Sequence, residues 1–166
     1  NRTKALYNQV LEQMQAERSL RNQLAAQQLI AESENAFLDI TLADAQGQMQ
    51  SLSQYRGKVI VLDFSSTEME QYVAYNFELR ELYNQYHKQG LEIYSVGIER
   101  NLLAWEEATE NLPWLTVRAL DNEITEVLTR YNVQSIPTLF LFDKEGNVQG
   151  RYTDFTELEA DINKYL

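Results

Sequence analysis

Two apolar runs set the fold class. In Lys58-Val59-Ile60-Val61-Leu62-Asp63-Phe64 the middle is continuously apolar, as in a strand covered on both faces rather than one shared between core and water. Residues 91–98 have the same character. Between them Phe77, Leu79, Leu82, Tyr83 and Tyr86 recur at helical spacing, which predicts a helix that buries those residues and ends at Gly90. Strand, helix and strand at this spacing imply a parallel crossover in an α/β protein, with 58–64 at the sheet centre. Ser65, Ser66 and Thr67 offer N-caps for the helix. Glu68 and Glu70 are expected in its first turn, where negative charge favours the positive end of the helix dipole.

The remaining segments fit around this centre. Residues 37–52 read as a hairpin, because Phe37-Leu38-Asp39-Ile40-Thr41-Leu42 alternates and Asp44-Ala45-Gln46-Gly47 turns. Helices are expected over 102–110 and 122–131, with a break at Leu112-Pro113-Trp114. A second hairpin spans 136–152, turning at Lys144-Glu145-Gly146-Asn147. A final helix, capped by Thr153 or Asp154, buries Phe155, Leu158, Ile162 and Leu166.

Residues 3–33 contain no Gly or Pro and are rich in helix formers, so one long helix is expected there. Its interrupted apolar stripe of Leu6, Val10, Met14, Leu20 and Leu24 is expected to pack on its own domain or on an upstream segment, with a dedicated partner as the alternative. The chain thus divides into a helix over 1–34, an appendage or connector, and an α/β domain over 35–166.

Composition removes several function classes. The formal charge is −11, with 25 acidic and 14 basic residues, and a surface of that sign repels a phosphate backbone, so no nucleic acid is expected as a partner. In residues 1–34 the charges cancel, four against four, so the whole acidic excess lies in 35–166. The chain contains no cysteine, which excludes disulfides, thiolate metal sites and cysteine nucleophiles within it. Its one histidine, His87, cannot make a histidine cluster and sits where a helix ends, an ordinary stabilising place. No Gly-x-Ser-x-Gly turn or glycine-rich phosphate loop is present. No run approaches the roughly 20 apolar residues of a membrane-spanning helix. Neither a cofactor nor a metal is expected.

The order of elements resembles the thioredoxin superfamily, and more narrowly its TlpA/ResA-like (AhpC/TSA) branch. The resemblance is carried by Ile40-Thr41-Leu42, Gly47, Leu52-Ser53 and Gly57-Lys58 ahead of the first long strand. Later it is carried by Tyr131-Asn132-Val133, Ile136-Pro137-Thr138 and Asp143 to Gly146, with Trp114 after Pro113. It covers about residues 36–166. It implies a three-layer sandwich with a mixed central sheet flanked by helices, a cis Ile136-Pro137 bond, and a location in the cell envelope or periplasm.

The departure lies at the chemistry. Redox-active relatives carry Trp-Cys-x-x-Cys where the first long strand enters its helix, since the helix terminus lowers the pKa of the attacking thiol. By that alignment Glu68 stands for the tryptophan, Met69 for the attacking cysteine and Tyr72 for the resolving one. None of these exchanges a disulfide. Two readings follow. In the first, the domain is a redox-inactive binding or structural module of a larger envelope protein. It would take a protein or peptide partner in a groove formed by Ser66, Thr67, Met69, Tyr72, Ile136 and Pro137, and its helix would supply a homo-oligomer contact. In the second, Glu68, Glu70 or Tyr72 supports a non-cysteine enzymatic activity in the same cleft.

Overall fold

The computed structural model describes residues 2–32 and 39–166. Strands β1 (Thr41–Ala43), β2 (Met49–Ser51), β3 (Val59–Ser65), β4 (Leu91–Gly97), β5 (Leu115–Arg118), β6 (Thr138–Phe142) and β7 (Val148–Tyr152) form one sheet in the order β2-β1-β5-β4-β3-β6-β7. β3, β4 and β5 run parallel, while β6, β7, β1 and β2 join as antiparallel neighbours. The helices are α1 (Arg2–Glu32), α2 (Tyr72–Tyr86), α3 (Leu102–Thr109), α4 (Asp121–Arg130) and α5 (Phe155–Tyr165).

Period-two alternation sorts β3 between two cores. Ile60, Leu62 and Phe64 pack with Tyr94, Val96, Tyr131 and Phe140 on the α4 side. Val59 and Val61 face the other way, against Leu79 and Leu82 of α2 and Leu158 and Ile162 of α5. Every residue of β3 is buried, as its continuous apolar run requires. The two hairpins turn by one device. Asp44 Oδ1 accepts from the Gln46 and Gln48 N–H groups and Oδ2 from Gln50, while Asp143 does the same with Glu145, Asn147 and Gln149. Both follow the spacing Asp-x-x-Gly-x-x-Gln, with the glycine at positive φ.

The structure differs from the expectations at five places. Helix α2 begins at Tyr72 with Gln71 as its N-cap and carries no acidic residue in its first turn, so Glu68 and Glu70 precede the helix and Ser65, Ser66 and Thr67 do not cap it. The Ser66 and Thr67 hydroxyls are taken by Glu99 from across the fold, and the Ser65 hydroxyl by Asp63 two residues upstream. Phe77 is exposed, and Tyr75 takes a place on the buried face with Leu79, Leu82 and Tyr86. β5 was not expected: four residues after Pro113 suffice once β4 and β1 are there to pair with them. Its insertion puts β4 in the middle of the sheet and β3 beside it. Finally, Leu6, Val10, Met14 and Leu20 of α1 are exposed, and the helix meets the domain through Arg18 and Asn22 on Glu157, while its path runs beside the edge strand β7. The Leu24 side chain and residues Phe37 and Leu38 lie outside the described residues.

Candidate functional site

The alternation that buries Val59 and Val61 carries Asp63 and Ser65 onto the same face at the C-terminal end of β3, beside Ser95 of β4. Tyr75, in the first turn of α2, reaches them from above. Asp63 is 1% exposed. Its Oδ2 accepts from Ser65 Oγ at 3.0 Å and Ser95 Oγ at 2.7 Å, its Oδ1 accepts from the Tyr75 hydroxyl, and Trp114 Nε1 donates to Ser95 Oγ at 3.0 Å. Burial opposes the carboxylate charge while the three hydrogen bonds favour it. Burial wins, and the Asp63 carboxyl is pushed up to about 6. Burial and the neighbouring Asp63 charge hold the Tyr75 hydroxyl well above its ordinary range.

A second buried carboxylate shapes the loop that follows. Glu99, 4% exposed, accepts from the Thr67 N–H at 2.7 Å, Thr67 Oγ1 at 2.9 Å and Ser66 Oγ at 3.1 Å. Ser66 Oγ in turn accepts from the Glu68 N–H, and Glu68 Oε2 accepts from the Arg100 N–H. Segment 66–68 is therefore fastened to residues 99–100 by side chains, where a helical first turn was expected.

Beside this loop an open cleft of about 600 Å³ is lined by Ser66, Glu68, Met69, Ile98, Glu99, Arg100, Ile124 and Ile136. Ile136 precedes Pro137 through a cis peptide bond. The cleft unites Ser66, Glu68, Met69 and Ile136 from the expected set. Thr67 and Tyr72 line a separate pinched space of about 20 Å³ with Asp63 and Ser95, and Pro137 is half-buried outside the cleft lining. Met69 and Tyr72 are joined by a turn, the Tyr72 N–H donating to the Met69 carbonyl at 3.1 Å.

Neither Tyr72 nor the two glutamates of the expected set offers much for acid–base chemistry. Burial, and then the Asp63 and Glu99 charges, push the Tyr72 hydroxyl up to about 12, beyond use near neutral pH. Glu68 and Glu70 are exposed. Among the described residues no group of three or more His, Asp or Glu is placed to hold a metal ion. His87 Nδ1 donates to the Leu91 carbonyl, and its ring stacks on Tyr83 at 4.4 Å, tying the end of α2 to the start of β4.

The parallel β3, β4 and β5 stand with the X-Pro segment beside the loop that follows β3. Residues 57–148 match the family described as thioredoxin-like. The chain belongs to the thioredoxin-like family. Over 131 residues it is 37% identical to the thiol-disulfide oxidoreductase ResA of Geobacillus kaustophilus, spanning 77% of this chain and 72% of that one. A similar stretch is 35% identical to ResA of Geobacillus thermodenitrificans. Among solved structures, a thioredoxin-like protein from Bacteroides vulgatus superposes with a TM-score of 0.71 at 33% identity, over 78% of this chain and 85% of that one. The thioredoxin domain of a thiol-disulfide oxidoreductase from the same organism gives 0.72 at 25%, over 79% and 95%. This thioredoxin-like chain holds no thiol with which to exchange a disulfide.

Sequence reasoning missed Asp63 and Glu99 as the groups that organise the site. Asp63 left a signal, a lone acid inside an apolar strand that a buried partner must satisfy. Glu99 left none, since its partners lie more than 30 positions upstream.

Proposed function

We propose that residues 35–166 form a redox-inactive binding module that holds an extended polypeptide segment in the cleft between residues 66–69 and Ile136, with residues 1–34 as an appended helix. The observation that carries this reading is the cleft itself. Met69, Ile98, Ile124 and Ile136 give it apolar side chains, and a loop fixed by Glu99 forms its rim. Recognition by such a cleft requires no thiol. The likeness to ResA supports a location in the cell envelope for this module, which we take to be part of a larger protein.

Titration with blocked extended peptides, followed by amide NMR shifts, tests the reading. Perturbations at residues 66–69, 98–100 and 136–138 are expected, and shifts that avoid all three segments overturn it. The former redox positions have their own test. The turn joining Met69 and Tyr72 keeps their Cα atoms within about 7 Å, inside the reach of a disulfide. The double change Met69→Cys and Tyr72→Cys is therefore expected to form an intramolecular disulfide in the folded protein. Two thiols that stay free under oxidising conditions would show that these are not the cysteine positions.

A further inference from the structure

The cleft has a chemistry of its own, and it specifies a class of partner more narrowly than an extended segment. Its apolar lining is aliphatic or thioether, formed by Met69, Ile98, Ile124 and Ile136 with no aromatic ring. Such a surface takes an unbranched or γ-branched aliphatic side chain, and Met69 adapts to its shape. The charge around it is acidic: Glu68 and Glu99 line the cleft against Arg100, and Glu70, exposed, follows Met69 just outside the lining. Glu99 is committed to three donors, so it contributes field rather than a partner contact. Glu68 uses Oε2 to hold the Arg100 N–H and is otherwise exposed. Behind this local excess lies the rest of the domain, since the whole charge of −11 falls in residues 35–166.

Resting on the binding role argued above, we infer that the occupant is a cationic segment of a partner polypeptide, with an aliphatic residue seated on Met69 and the three isoleucines and lysine or arginine beside it facing Glu68 at the rim, with Glu70 nearby in sequence. The acidic field raises the rate at which such a segment arrives, and the aliphatic anchor holds it. An acidic segment meets the Glu68 charge and the acidic surface of the domain, with Arg100 as the one cation in the cleft lining.

Three blocked heptapeptides test this on the full chain: a central leucine flanked by lysines, the same leucine flanked by glutamates, and a central serine flanked by lysines. At low salt the lysine–leucine peptide is expected to bind roughly tenfold or more tightly than either of the others. That gap should shrink as ionic strength rises, because the rim charges are exposed. The exposed pair change Glu68→Gln with Glu70→Gln should narrow the lysine–glutamate gap. Met69→Lys, which puts a cation into the cleft, should abolish lysine–leucine binding. Equal binding of the lysine and glutamate peptides overturns the cationic class while leaving the groove. Equal binding of the leucine and serine peptides overturns the aliphatic anchor. Lysine–leucine binding that survives Met69→Lys shows attraction to the acidic surface at large and overturns the site. If no peptide shifts residues 66–69 or 136–138, the groove itself is refuted.

Discussion

Asp63 and Glu99 are both buried carboxylates within the same corner of the fold, yet they do different work. Asp63 is held by side-chain hydroxyls from β3, β4 and α2, which favour its charged form but can also accept, so the protonated acid still finds partners there. Burial accordingly lifts its pKa to about 6. Glu99 accepts from a backbone N–H that can only donate, as well as from two hydroxyls, and it fixes the loop that forms one rim of the cleft. The contrast separates a network that ties regular elements together from one that shapes a binding surface.

The largest effect is expected from Glu99→Ala. Three donors lose their acceptor, one of them a backbone N–H, and the loss of stability should be about 4 kcal/mol in urea unfolding. Glu99→Gln, which keeps an acceptor, should recover about half of it. Peptide shifts in the cleft should disappear in the alanine variant; a cleft that still binds would mean that Glu99 does not shape the rim.

Next in size is Asp63→Asn, with the opposite sign. Folded Asp63 keeps its proton to about pH 6, whereas the ordinary value is 3.8. Its contribution to stability is therefore complete below about pH 4 and is lost as pH rises through 6, a difference of about 3 kcal/mol. Asparagine does not ionise. The variant should match the parent near pH 4 and exceed it at pH 7 to 8, and parallel stability curves across that window would refute the raised pKa. Peptide binding should be untouched, which sharpens the division between the two carboxylates.

Tyr75→Phe should have the smallest effect, a loss of about 1 kcal/mol. It removes one of three donors to Asp63, so the drop in stability with rising pH should move to higher pH. An unmoved transition would show that the Tyr75 hydroxyl does not hold the charged carboxylate.

The elements were legible wherever local chemistry dictates them. The continuous apolar run of β3 called for a strand covered on both faces, Gly90 at positive φ ends the segment after α2, and Gly47 and Gly146 mark the two hairpin turns, both at positive φ. Failures cluster where a distant partner outbids a local rule. Serines and threonine before a helix are good N-caps, but Glu99 takes the Ser66 and Thr67 hydroxyls from more than 30 positions away, and α2 starts four residues later than Glu68. β5 is too short to announce itself and exists because two strands wait on either side. Phe77 has the hydrophobicity of a core residue and the wrong phase on α2 once Tyr75 fixes which face turns inward.

By itself the sequence determined the α/β class, the family scaffold and the loss of thiol chemistry, because hydrophobic periodicity and the presence or absence of a reactive atom are properties of the chain. Only the tertiary structure decided that Glu99 would grip residues 66 and 67 and that Asp63 would be buried under Tyr75. It also brought Met69 to share one cleft with Ile98, Ile124 and Ile136. Hydrogen bonds and desolvation act across space, and their balance exists only after the strands have brought those side chains together.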